Sequence, residues 1–202
     1  MLSYLTANEL PIMQLSSRFE TALSFAARLH AEQIRKGSGV PYVAHLLGVA
    51  SLVLEHGGTE TQAIAALLHD AVEDQGGTAT RDMIARLFGE EAALIVDGCT
   101  DAETMPKPPW RERKETYIRH LATASAEVRL VSCADKLYNA RAILNDLRTV
   151  GDAVWTRFKG GKDGTLWYYR ALCDAFAAHG AMPISEELTR TVREIERLAY
   201  QK

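Results

Sequence analysis

Four ionisable side chains lie close together in an otherwise apolar stretch, residues 67–74, whose sequence is LLHDAVED. In this stretch His69 and Asp70 precede Glu73 and Asp74 by one helical turn. Burying charge without a partner costs several kcal/mol, so a core helix needs compensation for such groups. A divalent metal ion would supply it, with His69 and Asp70 as ligands and the two later acids acting on water or on groups around the ion. The alternative is a solvated or salt-bridged patch on a core helix.

Two further candidate ligands stand elsewhere in the chain. His45 lies among apolar residues of a predicted helix, and Asp135 follows the apolar run 130–134. Each alone is weak evidence, because a lone histidine in such surroundings is more often a packed core residue. Together with His69 and Asp70 they supply two imidazoles and two carboxylates, a mixture of N and O donors that suits Mn²⁺, Fe²⁺ or Zn²⁺. The sequence therefore predicts a metal site with positions left for water and substrate.

Several motifs in a fixed order accompany these residues. Arg35-Lys36 is followed by GVPYVAH at 39–45, and ALLHDAVED at 66–74 is followed by ADKLYN at 134–139. This pattern resembles the RelA/SpoT-type alarmone hydrolase domains, which are HD-domain metal phosphohydrolases, and it covers about residues 18–175. The resemblance implies an all-α HD-domain fold in a small single-domain member, since 202 residues leave no room for the synthetase and regulatory domains of the long members.

The resemblance also implies an activity. Such enzymes use Mn²⁺ to remove the 3′-pyrophosphate from guanosine 3′,5′-bis(diphosphate)-type alarmones, (p)ppGpp. The implied ligands of one Mn²⁺ ion, for which Fe²⁺, Zn²⁺ or Co²⁺ could substitute, are His45, His69, Asp70 and Asp135. Glu73 and Asp74 are the implied catalytic residues, which orient or deprotonate the attacking water, and the sequence leaves open which of them does so.

Basic and amide side chains outside the metal motif are candidates for substrate binding. In the family, the arginine of the RK pair stacks on the base and the lysine meets phosphate, which implies these roles for Arg35 and Lys36. Without the resemblance, a pair that merely complements the end of a helix would be favoured. Asn139, one turn beyond Asp135, is expected to contact the ribose or the 3′-phosphate. The complete predicted set is Arg35, Lys36, Asn139, Arg141, Arg157 and Lys159.

Some of these assignments have alternatives. The segment 157–164, RFKGGKDG, carries Arg157 and Lys159 beside two glycines. It is predicted either as a loop that binds the 5′-diphosphate or as a solvated linker. Arg141 could instead pair with a surface acid, and Tyr42 is predicted to be a packing group rather than a catalyst.

The sequence leaves the base and the exact reaction open. Guanine is the base of the family, but the adenosine analogues, (p)ppApp, share every phosphate and differ only at the base edge, which a stacked arginine does not distinguish. Ala142 replaces a threonine of the long members and removes a hydroxyl near the substrate. The alternatives to an alarmone hydrolase are an HD-domain phosphohydrolase acting on another nucleotide or phosphoester, and a nucleotide-binding module without activity. The presence of four ligands and two acids argues against the last.

The composition is that of an ordinary soluble protein, with 47% hydrophobic and 24% charged residues and a net charge of −3. This charge argues against a broad nucleic-acid-binding surface. No apolar run is long enough to span a membrane and no signal peptide is evident, so a cytoplasmic location is predicted. The predicted partner is a small-molecule nucleotide, without nucleic acid or membrane, and a homo-oligomer is left open. Cys99, Cys133 and Cys173 have no zinc or disulfide spacing and are predicted to be buried free thiols.

Helices must bring these side chains together, because helical periodicity and capping residues dominate the chain. The prediction is an all-α bundle of about nine to ten helices in one domain, 1–202, with a core of about 16–180 and a C-terminal helix at 185–201. The first helices are predicted at 17–35, 41–56 and 60–74, and a shorter one is predicted to be capped by Thr80. Residues 1–15 are predicted to be irregular, and residues 150–164 to be mostly loop.

Overall fold

Helices make up nearly all the regular structure of the computed structural model, which describes residues 14–100, 108–180 and 182–201. The α-helices are α1 (Ser17–Leu29), α2 (Val43–Glu55), α3 (Glu60–Leu68), α4 (Ala71–Asp74), α5 (Gly77–Phe88), α6 (Glu90–Cys99), α7 (Trp110–Leu121), α8 (Ala126–Val150), α9 (Gly161–Ala177) and α10 (Pro183–Tyr200). A 3₁₀ helix, Gly151–Arg157, lies between α8 and α9. Within the described ranges, the only strand-like feature is one isolated bridge between Ile34 and Pro41. The predicted all-α fold is confirmed.

Helix α3 lies at the centre of the bundle. Residues 63–68 are completely buried, because α1, α2, α6 and α8 all pack against this helix. A helix that is apolar on every side suits such a position. As a consequence, the end of α3, where His69 and Asp70 follow, lies in the middle of the protein.

Helices α2 and α8 approach each other closely at Gly48. A Cβ atom added to this glycine would lie 1.9 Å from Cε2 of Tyr138. The Tyr138 hydroxyl donates a hydrogen bond to the carbonyl oxygen of Ala44, 3.2 Å away, and the Tyr138 ring lies 5.1 Å from that of His45. The missing side chain at position 48 therefore allows α8 to pack onto α2 beside His45.

The cap and the end of α1 differ from those that its sequence predicts. The sequence SRFE at 17–20 is typical of a capping box, but the helix is capped by Ser16, whose side chain accepts a hydrogen bond from the amide of Arg18 at 3.2 Å. The helix begins at Ser17, as predicted, but ends at Leu29 and does not continue to Arg35. The chain turns back after α1, so that the Arg35 amide donates to the carbonyl oxygen of Val40 at 2.8 Å. Arg35 therefore lies on a turn and not at the end of a helix.

Other predicted element boundaries also differ from those in the structure. Helix α5 starts at Gly77, and Thr80 lies inside it, where its hydroxyl donates to the carbonyl oxygen of Gln75 at 2.7 Å. The predicted loop at 150–164 is largely helical, since it contains the 3₁₀ helix and the first turn of α9. The predictions for residues 1–13 and 101–107 fall outside the described residues.

The described helices and the cysteines bear on two further predictions. None of these helices is both long enough and apolar enough to cross a membrane. The three cysteines are free; Cys133 is buried, and Cys99 and Cys173 are partly buried. Burial raises the pKa of the Cys99 thiol to about 11, so this group is protonated at neutral pH and is a poor nucleophile.

Candidate active site

Four side chains of metal-ligand type converge inside the bundle from α2, α8 and the junction between α3 and α4. Nε2 of His45 and Nε2 of His69 are 3.3 Å apart. Oδ2 of Asp70 lies 3.5 Å from the first nitrogen and 3.0 Å from the second. Oδ1 of Asp135 lies 3.3 Å and 3.6 Å from the same two atoms. The structure thus brings the four predicted ligands together.

A break in the helix directs two consecutive residues into this cluster. Neighbours on an unbroken helix point about 100° apart, because a turn takes 3.6 residues. Here α3 ends at Leu68, and Asp70 adopts φ −99° and ψ −2° before α4 begins. Both side chains reach His45, whose Nε2 lies 3.3 Å from Nε2 of His69 and 3.5 Å from Oδ2 of Asp70. The sequence predicted one uninterrupted helix over 60–74, and that prediction is wrong at this point.

The donor set fits a divalent metal ion. Donor atoms bound to one ion at about 2.1 Å lie about 3.0–3.4 Å from their neighbours, and the contacts between the imidazoles and the carboxylates are 3.0–3.6 Å. His69 donates from Nδ1 to the carbonyl oxygen of Ala66 at 2.8 Å, which leaves Nε2 as the ring atom that faces the cluster. The group formed by His45, His69 and Asp70 can therefore hold a divalent ion.

The carboxylates and the imidazole of the cluster shift one another's pKa values. Burial alone would raise the pKa of Asp70, but His69 and the hydrogen bonds from both imidazoles hold that pKa well below its usual range. Burial would likewise raise the pKa of Asp135, which the neighbouring Lys136 and both imidazoles lower well below its usual range. Burial would lower the pKa of His69, and the two carboxylates raise it well above its usual value. Both carboxylates are thus charged, and in the absence of a metal ion the positive charges of His69 and Lys136 balance them.

Three side chains fix the orientation of the carboxylate ligands. Tyr42 donates its hydroxyl hydrogen to Oδ2 of Asp70 at 2.5 Å. Asp135 receives a hydrogen bond on each oxygen: Lys136 Nζ lies 2.5 Å from Oδ2, and Asn139 Nδ2 lies 2.6 Å from Oδ1. Partners of this kind set the orientation and basicity of metal ligands. The roles of Tyr42 and Lys136 were not predicted from the sequence, although Tyr42 stands three residues before His45 and Lys136 directly follows Asp135.

The two predicted catalytic acids lie on α4, the turn after the ligand pair. Oδ2 of Asp74 accepts a hydrogen bond from Nε2 of Gln33 at 2.8 Å. Asp74 is open to solvent on one side. Partial burial nevertheless raises its pKa; the bond from Gln33 opposes this rise, and the charges of Asp70 and Glu73 add to it. Asp74 is therefore close enough to Asp70 for the charge of that ligand candidate to affect its pKa.

Arg35 is connected to the metal cluster through one amide. Its Nη2 donates to Oδ1 of Asn139 at 2.8 Å, and Nδ2 of the same amide donates to Asp135. The Arg35 guanidinium also lies over the ring of Tyr138, 5.5 Å from its centroid. The next residue, Lys36, is exposed. The predicted base-binding arginine is thus in the same hydrogen-bond network as a predicted metal ligand.

Arg157 approaches this region from the 3₁₀ helix. Its Nη1 lies 2.6 Å from Oδ2 of Asp146. Its side chain lies over Gly37, where an added Cβ atom would be 2.7 Å from Cδ of Arg157. Arg157 therefore borders the turn that carries Arg35. Lys159 lies beyond it, exposed, in the short connection to α9.

The structure does not place Arg141 with the other candidates. Its guanidinium pairs with Glu187 on α10. Because Arg141 follows Asp135 by six residues on the same helix, it points about 120° away from that carboxylate. The surface ion pair, which was the alternative for this residue, is the arrangement that the structure contains.

Comparison with known proteins gives a consistent picture. A family model described as HD domain matches residues 22–166. The chain is 42% identical over 123 residues to a guanosine-3′,5′-bis(diphosphate) 3′-pyrophosphohydrolase, MESH1, of Xenopus tropicalis, and the match covers 59% of this chain and 66% of that protein. It is 33% identical over 145 residues to MESH1 of Drosophila melanogaster, covering 70% of this chain and 76% of that protein. The match thus spans slightly less than two thirds of the Xenopus protein.

Solved structures agree with these relatives. One is a metazoan ortholog of SpoT described as hydrolysing ppGpp, with a TM-score of 0.74 and 28% identity over 91% of this chain and 98% of that one. Another is a protein of Listeria monocytogenes, with a TM-score of 0.68 and 32% identity over 76% of this chain and 99% of that one. The likeness therefore extends over nearly the whole of each solved chain.

Proposed function

The chain belongs to the HD-domain family of RelA/SpoT-type alarmone hydrolases, and we propose on this basis that it removes the 3′-pyrophosphate from guanosine 3′,5′-bis(diphosphate), (p)ppGpp, with a divalent metal ion. In this reaction, water attacks the phosphorus atom that is bonded to the ribose 3′ oxygen. The bond between these two atoms breaks, pyrophosphate is released, and the ribose oxygen takes up a proton. The products are pyrophosphate and the 5′-di- or triphosphate.

The observation that carries this proposal is the connection from Arg35 through Asn139 to Asp135. It joins a residue suited to stacking on a base to a residue suited to binding a metal ion. A phosphohydrolase that attacks a phosphate close to a nucleoside needs these two functions at neighbouring positions. The Glu73-Asp74 pair and the Arg35-Lys36 pair favour an alarmone substrate over another phosphoester.

In the proposed enzyme, His45, His69, Asp70 and Asp135 hold one Mn²⁺ ion, and Fe²⁺, Zn²⁺ or Co²⁺ are alternatives. The equal number of imidazole and carboxylate donors suits this group of metals. When bound, such an ion polarises a phosphoryl oxygen and lowers the pKa of adjacent water.

Asp74 is proposed as the group that accepts the proton of the attacking water, with Glu73 as the second acid that orients it. A general base works best when its pKa lies near the working pH. The raised pKa of Asp74 and its solvent-open side support this role.

The substrate would be held by five of the six predicted residues. The guanidinium of Arg35 would stack on the base, and its contact with the Tyr138 ring would hold it in position. Lys36 would contact phosphate, and Asn139 would contact the ribose or the 3′-phosphate. Arg157, whose side chain lies over Gly37, and Lys159 would meet the 5′-diphosphate. Cations at these positions counter the charge of a substrate with several phosphates.

The adenosine analogues, (p)ppApp, are proposed as second substrates. The contacts that support substrate binding involve the guanidinium of Arg35 and the amide of Asn139. A stacked guanidinium contacts the face of a purine and not its edge. Guanine and adenine have similar faces, so an enzyme that relies on this contact accepts both.

The test begins with protein stripped of metal by a chelator and then supplied with Mn²⁺, Fe²⁺, Zn²⁺ or Co²⁺. Release of pyrophosphate from ppGpp and from ppApp is measured side by side. We expect pyrophosphate from both substrates with Mn²⁺, none without metal, and none from His69→Ala. As a matched control, Arg148→Ala changes an exposed arginine that pairs with Glu194 on the outer side of α8, and it should leave turnover intact. Absence of pyrophosphate with all four metals, or release of another product, would overturn the proposal.

A further inference from the structure

The side chain of Gln33 lies between the end of α1 and the acidic turn α4. Its Nε2 donates to Oδ2 of Asp74 at 2.8 Å. Its Oε1 lies 2.7 Å from Nε2 of Gln75 and 2.6 Å from Nδ1 of His30. Four polar side chains from two separate parts of the chain therefore meet at one amide.

The chemistry of the neighbours determines which way this amide points. An ionised carboxylate only accepts hydrogen bonds, so the NH₂ group of Gln33 must face Asp74. Its oxygen then faces Gln75, which donates from its own NH₂ group, and His30, which donates from Nδ1. Each of these contacts pairs a donor with an acceptor in this orientation, and the reversed amide would place its NH₂ group against two donors.

His30 makes this arrangement rigid. It is only 2% exposed, and its ring stacks on that of Tyr42 with centroids 5.4 Å apart and planes inclined by 22°. Tyr42 in turn donates to Asp70. The main chain adds a further link, since the Tyr42 amide donates to the carbonyl oxygen of Gln33 at 2.9 Å. One buried imidazole thus contacts the residues that hold Asp70 and Asp74.

We propose that Gln33 is a positioning residue of the active site, which holds the carboxylate of Asp74 through its amide and is itself oriented by His30 and Gln75. The inference rests on the proposed function, in which Asp74 accepts the proton of the attacking water. Asp74 is exposed and sits on a helix of one turn, so its own helix provides little restraint. The hydrogen bond from Gln33 supplies that restraint from outside α4.

The test compares Gln33→Met, which keeps the length of the side chain and removes the amide, with Glu32→Gln as a matched control on the exposed neighbouring residue. We expect Gln33→Met to lower kcat about 10- to 100-fold, the usual effect of losing such a supporting contact. KM should change by less than about twofold, because the lost contact acts on the base and not on substrate binding. Affinity for Co²⁺, followed by its visible absorption, should be unchanged.

A second variant distinguishes loss of the hydrogen bond from a defect in folding. Gln33→Glu keeps the shape of the side chain but places a carboxylate where the donor stood, and it should reduce kcat at least as much as Gln33→Met. In an Asp74→Asn background, the effect of Gln33→Met on kcat should largely disappear, because two residues that act through one contact are not additive. Equal effects in both backgrounds would overturn the inference.

A measurement without substrate separates this inference from the proposed function. The ¹³C carboxyl resonance of Asp74, assigned with Asp74→Asn, is titrated in the metal-free protein. Gln33→Met should raise the titration midpoint of Asp74, since a hydrogen bond to the charged form is lost, and Glu32→Gln should not. If the wild-type protein releases no pyrophosphate but this midpoint moves, the proposed function fails and the positioning contact stands. If the midpoint does not move, the inference is wrong.

Discussion

Arg35 donates a hydrogen bond to Asn139 across 104 positions of the chain. Nδ2 of Asn139 in turn donates a hydrogen bond to Oδ1 of Asp135, one of the four predicted metal ligands. The turn after α1 and the centre of α8 are therefore held together at the place where a nucleotide would lie between a base-binding group and a metal ion. A change at this amide should affect both ends of the connection.

Asn139→Leu tests this connection. The variant removes the donor to Asp135 and the acceptor for Arg35, so we expect about 10- to 100-fold weaker binding of Co²⁺ and a higher KM for ppGpp. Metal titration and steady-state kinetics measure the two effects. Arg148→Ala on the same helix is the control. If only one of the two quantities changes, the amide does not couple the two ends.

Removal of the metal should lower the stability of the protein. A ligand present at 100 times its dissociation constant stabilises the folded state by about 2.7 kcal/mol. The melting temperature of chelator-treated protein should therefore rise when Mn²⁺ is added, and His69→Ala and Asp135→Ala should abolish this rise. An equal rise in either variant would remove that residue from the ligand set.

Lys136→Met tests the cation beside Asp135. The ammonium group lies 2.5 Å from Oδ2 and leaves Oδ1 facing the imidazoles. Without it, the carboxylate loses the contact that sets its orientation, and metal affinity should fall about 10- to 100-fold. Lys136→Arg, which keeps the charge, should recover part of the loss. Equal loss in both variants would indicate that the shape of the side chain matters and not its charge.

Gly48→Ala tests the close approach of α2 and α8. The added Cβ atom would lie 1.9 Å from the Tyr138 ring, and overpacking of this kind costs about 1–3 kcal/mol. Chemical denaturation should show a lower free energy of unfolding. Tyr138→Ala removes the ring that the methyl group meets, so the double variant should lose less stability than the sum of the two single variants. Additive losses would contradict the proposed clash.

Features that depend on residues close together in the chain could be predicted from the sequence. The cap of α3 is an example, since the hydroxyl of Thr59 accepts from the amide of Gln62 and the side chain of Gln62 accepts from the amide of Thr59. The four predicted metal ligands could be picked out for another reason, because histidine and carboxylate groups are conspicuous in apolar surroundings. The helical periodicity also predicted the all-α class, which depends on spacing alone.

Features that depend on packing between distant parts of the chain could not be predicted from the sequence. Nothing near Arg141 in the sequence indicates that Glu187 is its partner. The supporting bonds from Tyr42 and Gln33 join residues separated by 28 and 41 positions.

The sequence by itself thus determined the chemistry of this protein, through the types and order of its ionisable residues. Only the tertiary structure decided which side chains hold Asp70 and Asp74 in place. The physical reason is that a hydrogen bond requires two atoms about 3 Å apart. Between distant residues, the packing of whole helices sets that distance, and the local sequence does not.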